Sequence, residues 1–307
     1  MPRFSTILSL CFGASALLLA GCETTTPSSS GGGSVSGRGD AAPFLPGSSV
    51  EPFSTPGGGT PDRVFNVVFV ADSDDYGDLG NPANLSAFEA DVASVINNGF
   101  EQVSAIYRNR TSFHYYVMKE TGRVTGNNCP TSLQFPEAAI TRDALFADAF
   151  LILHKKPGIR DCYNGNRRAS AGVRDVDGTL TREYGTAVHE MAHALFNLPD
   201  EYPGSGGYWE TAPTGVIFTT KAECQSYVTA NIPETPLATA CTPLPIDGGA
   251  TMYRADGFIY DLMAPSSATS VDQLGRADWL QFERVVGDVD GSVTAPDVFA
   301  PTPWSRP

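Results

Sequence analysis

Basic side chains are scarce: 20 Lys and Arg stand against 34 Asp and Glu, a formal charge of −14 at neutral pH. Phosphate backbones are gripped by clustered cations. The balance therefore argues against nucleic acid as a partner and reads as the solubility of an exported or surface protein. Histidine is rarer still, with four in 307 residues: His114, His154, His189 and His193. Any imidazole chemistry must be built from these. No two of the six cysteines have C-x-x-C spacing, which disfavours a thiolate metal site. Large apolar residues are nearly missing from residues 23–61, a stretch dense in Ser, Thr, Gly and Pro. Such a segment cannot bury enough surface to offset its ordering entropy. The composition therefore predicts a flexible tether over 22–61, with a globular domain over 62–307.

Ahead of the tether, Arg3 precedes an apolar run that ends Ala16-Leu17-Leu18-Leu19-Ala20-Gly21-Cys22. A basic start, a short apolar core and small residues before a cleavage point predict a signal peptide over 1–21, too short for a spanning helix. Leu19-Ala20-Gly21-Cys22 resembles the lipobox of bacterial lipoproteins. It implies diacylation of Cys22 and a membrane partner through that lipid. The expected location is the bacterial cell envelope, at the outer membrane or cell surface. Cys11 leaves with the signal peptide, so Cys129, Cys162, Cys224 and Cys241 remain. An even number in an exported chain predicts two disulfides, with three possible connectivities. The favoured pairs are Cys129–Cys162 and Cys224–Cys241.

The chemistry concentrates in Thr186-Ala187-Val188-His189-Glu190-Met191-Ala192-His193-Ala194-Leu195-Phe196-Asn197-Leu198-Pro199-Asp200-Glu201-Tyr202. Tyr184, Val188, Met191, Leu195 and Leu198 recur at steps of three and four, an apolar helical stripe. Asn197 tolerates the left-handed conformation that ends helices, and Pro199 cannot continue one. On that helix His189 and His193 lie one turn apart on one face, the spacing that grips zinc, with Glu190 beside them as general base. No histidine follows the pair, and the position six beyond His193 is Pro199. Asp200 and Glu201 are the next donors. Two histidines, one carboxylate and an open position describe a catalytic zinc site.

His-Glu-x-x-His-x-x-x-x-Leu-x-Asp-Glu-Tyr, carried by His189, Glu190, His193, Leu198, Asp200, Glu201 and Tyr202, resembles the signature of the IgA-peptidase family of zinc metallopeptidases, within or near the metzincins. The family usually has Gly where this chain has Asn197. The resemblance implies Asp200 as third ligand, with Glu201 as its alternate or as a partner behind it. It also implies a methionine turn beneath the zinc. Met263, in Ile259-Tyr260-Asp261-Leu262-Met263-Ala264-Pro265, is the candidate, and Met252 the rival. The family's Asp-Gly-Tyr after its first strand is matched here by Asp72 alone, and Tyr107-Arg108-Asn109-Arg110 is also similar to it.

Taken in order, Val64–Ala71 reads as a buried strand, and Asp72–Asp78 as a solvated acidic loop whose carboxylates suit calcium. Asp175-Val176-Asp177-Gly178 and Asp288-Val289-Asp290-Gly291 share that calcium flavour but read as turns. A helix capped by Asn84 or Ser86 runs to Glu101. Strands follow at Thr111–Met118 and Ala149–His154, with a short helix near Arg142–Ala147 between them. His114 reads as structural and His154 as a strand-end histidine, with a substrate contact as its alternative. The resemblance makes Ala169–Val173 the edge that pairs with extended substrate. Helices are expected at Lys221–Ala230 and Gln273–Val286, within a turn-rich C-terminal part.

The expected fold is α/β: a metzincin-like zinc peptidase with a twisted mixed sheet, a central active-site helix and an irregular C-terminal subdomain. The expected activity is that of a lipid-anchored zinc metalloendopeptidase on a polypeptide substrate. Glu190 serves as base, and an Asn, a backbone N–H or a Tyr, with Tyr202, Tyr253 and Tyr260 as candidates, as oxyanion donor. A non-catalytic zinc-containing binding protein, or a zinc hydrolase acting on a cell-wall or glycan substrate, are the alternatives.

Overall fold

A computed structural model describes residues 47–56, 63–129, 131–156, 158–173, 181–201, 215–246, 249–256, 261–263 and 272–307. The signal peptide, Cys22, Tyr202, Tyr260 and the Asp175–Gly178 turn lie outside the described residues. The chain forms a mixed α/β structure around a seven-stranded sheet. Its strands are β1 (Val50–Ser54), β2 (Phe65–Asp72), β3 (Phe113–Val124), β4 (Leu133–Gln134), β5 (Ala149–His154), β6 (Cys162–Tyr163) and β7 (Arg168–Gly172). The order is β1-β3-β2-β5-β7-β6, with β4 on the far end of β3. The four inner strands are parallel, while β1, β4 and β6 pair antiparallel. Among the described residues no helix is long and apolar enough to cross a membrane.

The helices are α1 (Ser73–Tyr76), α2 (Pro82–Asn98), α3 (Ser104–Arg108), α4 (Glu137–Asp143), α5 (Thr181–Phe196), α6 (Lys221–Asn231) and α7 (Arg276–Asp290). Side chains alternate across a strand, so β2 feeds two cores. Phe65, Val67, Phe69 and Ala71 meet α2, α5 and α7, whereas Val68 and Val70 meet Ala139 and Ile140 of α4. Burial on both faces explains why β2 is a continuous apolar run rather than an alternating one. The stripe of α5, Tyr184, Val188, Met191 and Leu195, lies wholly in the first core. Each such side chain contributes about 1.5–3 kcal/mol. The helix carrying His189 and His193 is thereby fixed to the sheet. It also approaches the end of α2 closely. A Cβ at Gly99 would stand 2.5 Å from the Val95 carbonyl oxygen and 2.9 Å from that of Tyr184.

Several boundaries differ from the sequence reading. The expected tether ends early, because Val50–Ser54 pairs with β3 and Val50 is buried. Pro52 is tolerated there because β1 is an edge strand. Asn81, not Asn84 or Ser86, caps α2: its side chain accepts from Ala83 N–H, and Pro82 occupies the first helical position. The helix expected over 142–147 forms earlier, as α4. The last helix runs to Asp290 and ends on Gly291 at φ 79°, so Asp288 and Asp290 are helical and not in a turn. The acidic segment after β2 forms the short helix α1 rather than a loop, with Asp74 and Asp78 exposed and Asp72 engaged. Asp72 is buried, accepts from Asp74 and Val124 N–H and pairs with Lys156, while Asp74 pairs with Arg123 and Lys156. The region expected to be irregular holds a second, three-stranded antiparallel sheet. It comprises β8 (Ile217–Phe218), β10 (Thr251–Arg254) and β9 (Thr242–Pro245), in that order.

Candidate metal centre

The end of α5 delivers the first two donors and the turn after it delivers the third. Asn197 adopts φ 54°, a left-handed cap; its N–H donates to the His193 carbonyl at 3.1 Å and the Leu198 N–H to the Ala192 carbonyl at 3.4 Å. Gln281 of α7 donates to the Phe196 carbonyl at 2.7 Å, satisfying one of the acceptors a helix end leaves open. The chain reverses, and Asp200 returns over the histidines. Its neighbour Glu201 is clamped through the backbone. The Glu201 N–H donates to the Met263 carbonyl at 2.9 Å, and Arg254 Nη1 donates to the Glu201 carbonyl at 2.6 Å.

The donor atoms form a nearly equilateral triangle. His189 Nε2 and His193 Nε2 are 3.2 Å apart, and Asp200 Oδ1 lies 3.2 Å from the first and 3.3 Å from the second. Ligands of a tetrahedral zinc, bonded at about 2.0–2.1 Å, are separated by about 3.3–3.4 Å. The triangle therefore fits that ion with one coordination position left over. Both imidazoles are oriented for it. His189 Nδ1 donates to the Leu262 carbonyl at 2.7 Å and His193 Nδ1 to the Leu198 carbonyl at 2.5 Å. Hydrogen bonds of this kind set the tautomer that leaves Nε2 as the ligand.

Electrostatics follow from burial. Burial pulls the His189 imidazole down, but its hydrogen bond to Asp200 and the charges of Glu190 and Asp200 outweigh it and raise it to about 9. Burial dominates at His193, which is lowered. Burial raises Asp200, yet the bonds to both histidines hold its carboxyl well below the ordinary range. Glu190 is buried, and one carboxylate oxygen has no hydrogen-bond partner. Burial pushes it up to about 8, moderated by His189 and reinforced by Asp200 and Asp161. A carboxyl tuned near neutrality can both take and return a proton.

No protein-family model matches the chain, and no characterised protein matches it in sequence.

Asp200, not Glu201, joins the two histidines, since Glu201 faces Asp261 and Asp278 instead. Met263 is fully buried and its carbonyl holds Glu201, while the rival Met252 is half-buried on β10. Leu262, just before Met263, supplies the carbonyl that orients His189. Of the oxyanion candidates only Tyr253 is described, half-buried on β10. His154 is fully buried and pairs with Asp161 at 2.7 Å, so it is a strand-end structural residue with no open face for substrate. His114 is buried beside Tyr116. The expected substrate edge, Ala169–Val173, is covered in part by β6, which pairs with Ser170 and Ala169.

One residue of the site was missed. Tyr163 of β6 stacks on His193, with ring centroids 5.9 Å apart and planes at 23°. Its neighbour Cys162 is bonded to Cys129, and Cys224 to Cys241, the two expected pairs. The only sequence signal for Tyr163 was its place beside a cysteine in a polar loop. The disulfides themselves belong to an oxidising compartment outside the cytoplasm.

Proposed function

We propose that this chain is an exported, lipid-anchored zinc metalloendopeptidase, with His189, His193 and Asp200 as zinc ligands and Glu190 as general base. The observation that carries this reading is the triangle of three donors spaced for a tetrahedral ion, beside a buried carboxyl that is no part of it. When bound there, zinc supplies Lewis acidity that polarises a carbonyl and acidifies water. The chain's own residues do the rest. Leu262 and Leu198 carbonyls hold the imidazoles in place. Glu190 accepts the proton of the attacking water and returns it to the leaving amine nitrogen. Tyr163 and the Cys129–Cys162 bridge form a wall beside His193. Polypeptide is the proposed substrate class, by the resemblance of the His189–Tyr202 segment. The lipid on Cys22 is the proposed membrane anchor.

The test is metal analysis of the purified chain together with cleavage of an unfolded protein, beside Glu190→Gln. The reading expects about one zinc per chain in both proteins and cleavage only in the wild type. Zinc with no cleavage of polypeptide, but turnover of a cell-wall amide or glycan, would replace the substrate class. Zinc with no turnover of any substrate would favour a binding role.

A further inference from the structure

Outside the three-donor centre, the described residues hold one other group of metal-ligating side chains. Glu201, Asp261 and Asp278 each bring a carboxylate oxygen within 4.8 Å of the others. All three residues are 0% exposed. Asp256 shares the pocket through Gly275. A Cβ at that position would stand 2.3 Å from Asp256 Oδ2 and 2.9 Å from Asp261 Oδ2, so the two carboxylates crowd the same bare backbone. Four buried carboxylates thus converge, contributed by the turn after α5, the Asp261–Met263 segment, the second residue after β10 and the first turn of α7.

Protein groups do little to balance them. Met263 N–H donates to Asp261 Oδ1 at 3.0 Å and Ala277 N–H to Asp256 Oδ2 at 2.7 Å. Neither oxygen of Glu201 and neither oxygen of Asp278 has a hydrogen-bond partner. Buried Arg254 sends its guanidinium to the Glu201 carbonyl and the Thr242 hydroxyl, and a single positive charge does not offset four acids. Arg276 is half-buried and pairs with Glu234. Buried carboxylates persist when they are paired, protonated or bound to metal.

We propose that Glu201, Asp261, Asp278 and Asp256 form a second cation site, for Ca2+, separate from the His189–His193–Asp200 centre. The donor set is all oxygen, which suits a hard cation and not zinc. Calcium bonds oxygen at about 2.3–2.6 Å, so ligands on opposite sides of it lie about 4.6–5.2 Å apart. The carboxylate oxygens of Glu201, Asp261 and Asp278 lie within 4.8 Å of one another, close enough for one such ion to touch all three. Magnesium dehydrates reluctantly and keeps several waters, which suits a fully buried pocket of protein carboxylates less well. The ion would also have a structural consequence. Glu201 adjoins Asp200, and Asp261 adjoins Leu262, whose carbonyl orients His189. Calcium would tie both supports of the zinc ligands to α7. The site does not depend on the peptidase reading.

The test uses the full chain, stripped of metals, given back one equivalent of zinc and titrated with calcium chloride. Bound metals are counted by mass spectrometry and melting is followed by calorimetry. One calcium per chain beside the zinc is expected, with Tm raised by about 5–10 °C at calcium 100-fold above its Kd. Asp278→Asn should lose both the calcium and the rise while keeping zinc. Should that variant fail to fold, terbium(III) on the wild type carries the test. Emission sensitised by Trp279, next to Asp278, and quenched by added calcium is the expected result. Wild-type chain that takes up no calcium and gives no such emission would overturn the site and leave the carboxylates holding protons. Undiminished calcium in folded Asp278→Asn would overturn its placement, and a response to magnesium alone would overturn the choice of ion. Zinc is counted independently, so calcium without zinc would support this site while refuting the peptidase reading.

Discussion

Breaking the Cys129–Cys162 bridge should cost stability and loosen the metal centre at once. The two cysteines are 33 residues apart. Loop-closure entropy for that length amounts to about 3–4 kcal/mol at 25 °C, or a Tm lower by about 7–15 °C in a domain of this size. The bridge Cys224–Cys241, 17 residues apart, is worth about 3 kcal/mol by the same reasoning. The two should therefore look alike in a melting experiment. They should differ in zinc retention. Cys162 adjoins Tyr163, whose ring lies on His193, whereas Cys224 belongs to α6 and its bridge closes on the segment before β9. Paired cysteine-to-alanine variants would be melted by calorimetry and dialysed against a graded zinc chelator. The first variant should lose zinc at roughly 10-fold lower chelator, the low end of what supporting partners contribute, and the second should match wild type. Equal zinc retention in both, or loss only in the second, would refute the claim that the bridge steadies the centre through Tyr163.

Phe196 packs its ring against Phe65, Phe113 and Phe282 at 4.7–6.1 Å between centroids, so Phe196→Ala should lower stability by about 3–5 kcal/mol in urea unfolding. Asn197 sits at φ 54°: Asn197→Gly should fold within about 0.5 kcal/mol of wild type, while Asn197→Val should lose about 1–2 kcal/mol. Asp200→Ala should abolish stoichiometric zinc, whereas Glu201→Gln should keep it, as metal analysis of the two purified chains would report.

The three-donor triangle was largely legible because its parts are local. His189 and His193 are related by helix geometry alone, and Asn197 and Pro199 announce where the helix stops. The choice between Asp200 and Glu201 was not local. It depends on Met263 and Arg254, which clamp the Glu201 backbone from distant segments. β2 and β5 were readable as unbroken apolar runs, but β1 was hidden, since Val50–Ser54 is polar enough to pass for tether and becomes a strand only beside β3. Tyr163 was invisible for the same reason: a two-residue strand has no periodicity, and a disulfide decides its place. The acidic turn after β2 showed the converse error. It read as a solvated loop because the partners of Asp72 and Asp74, Lys156, Arg123 and Val124, lie far along the chain.

The central claim is that the three donors hold zinc and that Glu190, which is no part of them, moves the proton. The most direct measurement is zinc per chain and cleavage rate of an unfolded polypeptide, for wild type and Glu190→Gln side by side. The account predicts about one zinc in each and a rate lower by a factor of roughly 10²–10⁴ in the variant. A folded wild-type chain without zinc, or equal cleavage by the two proteins, would contradict it.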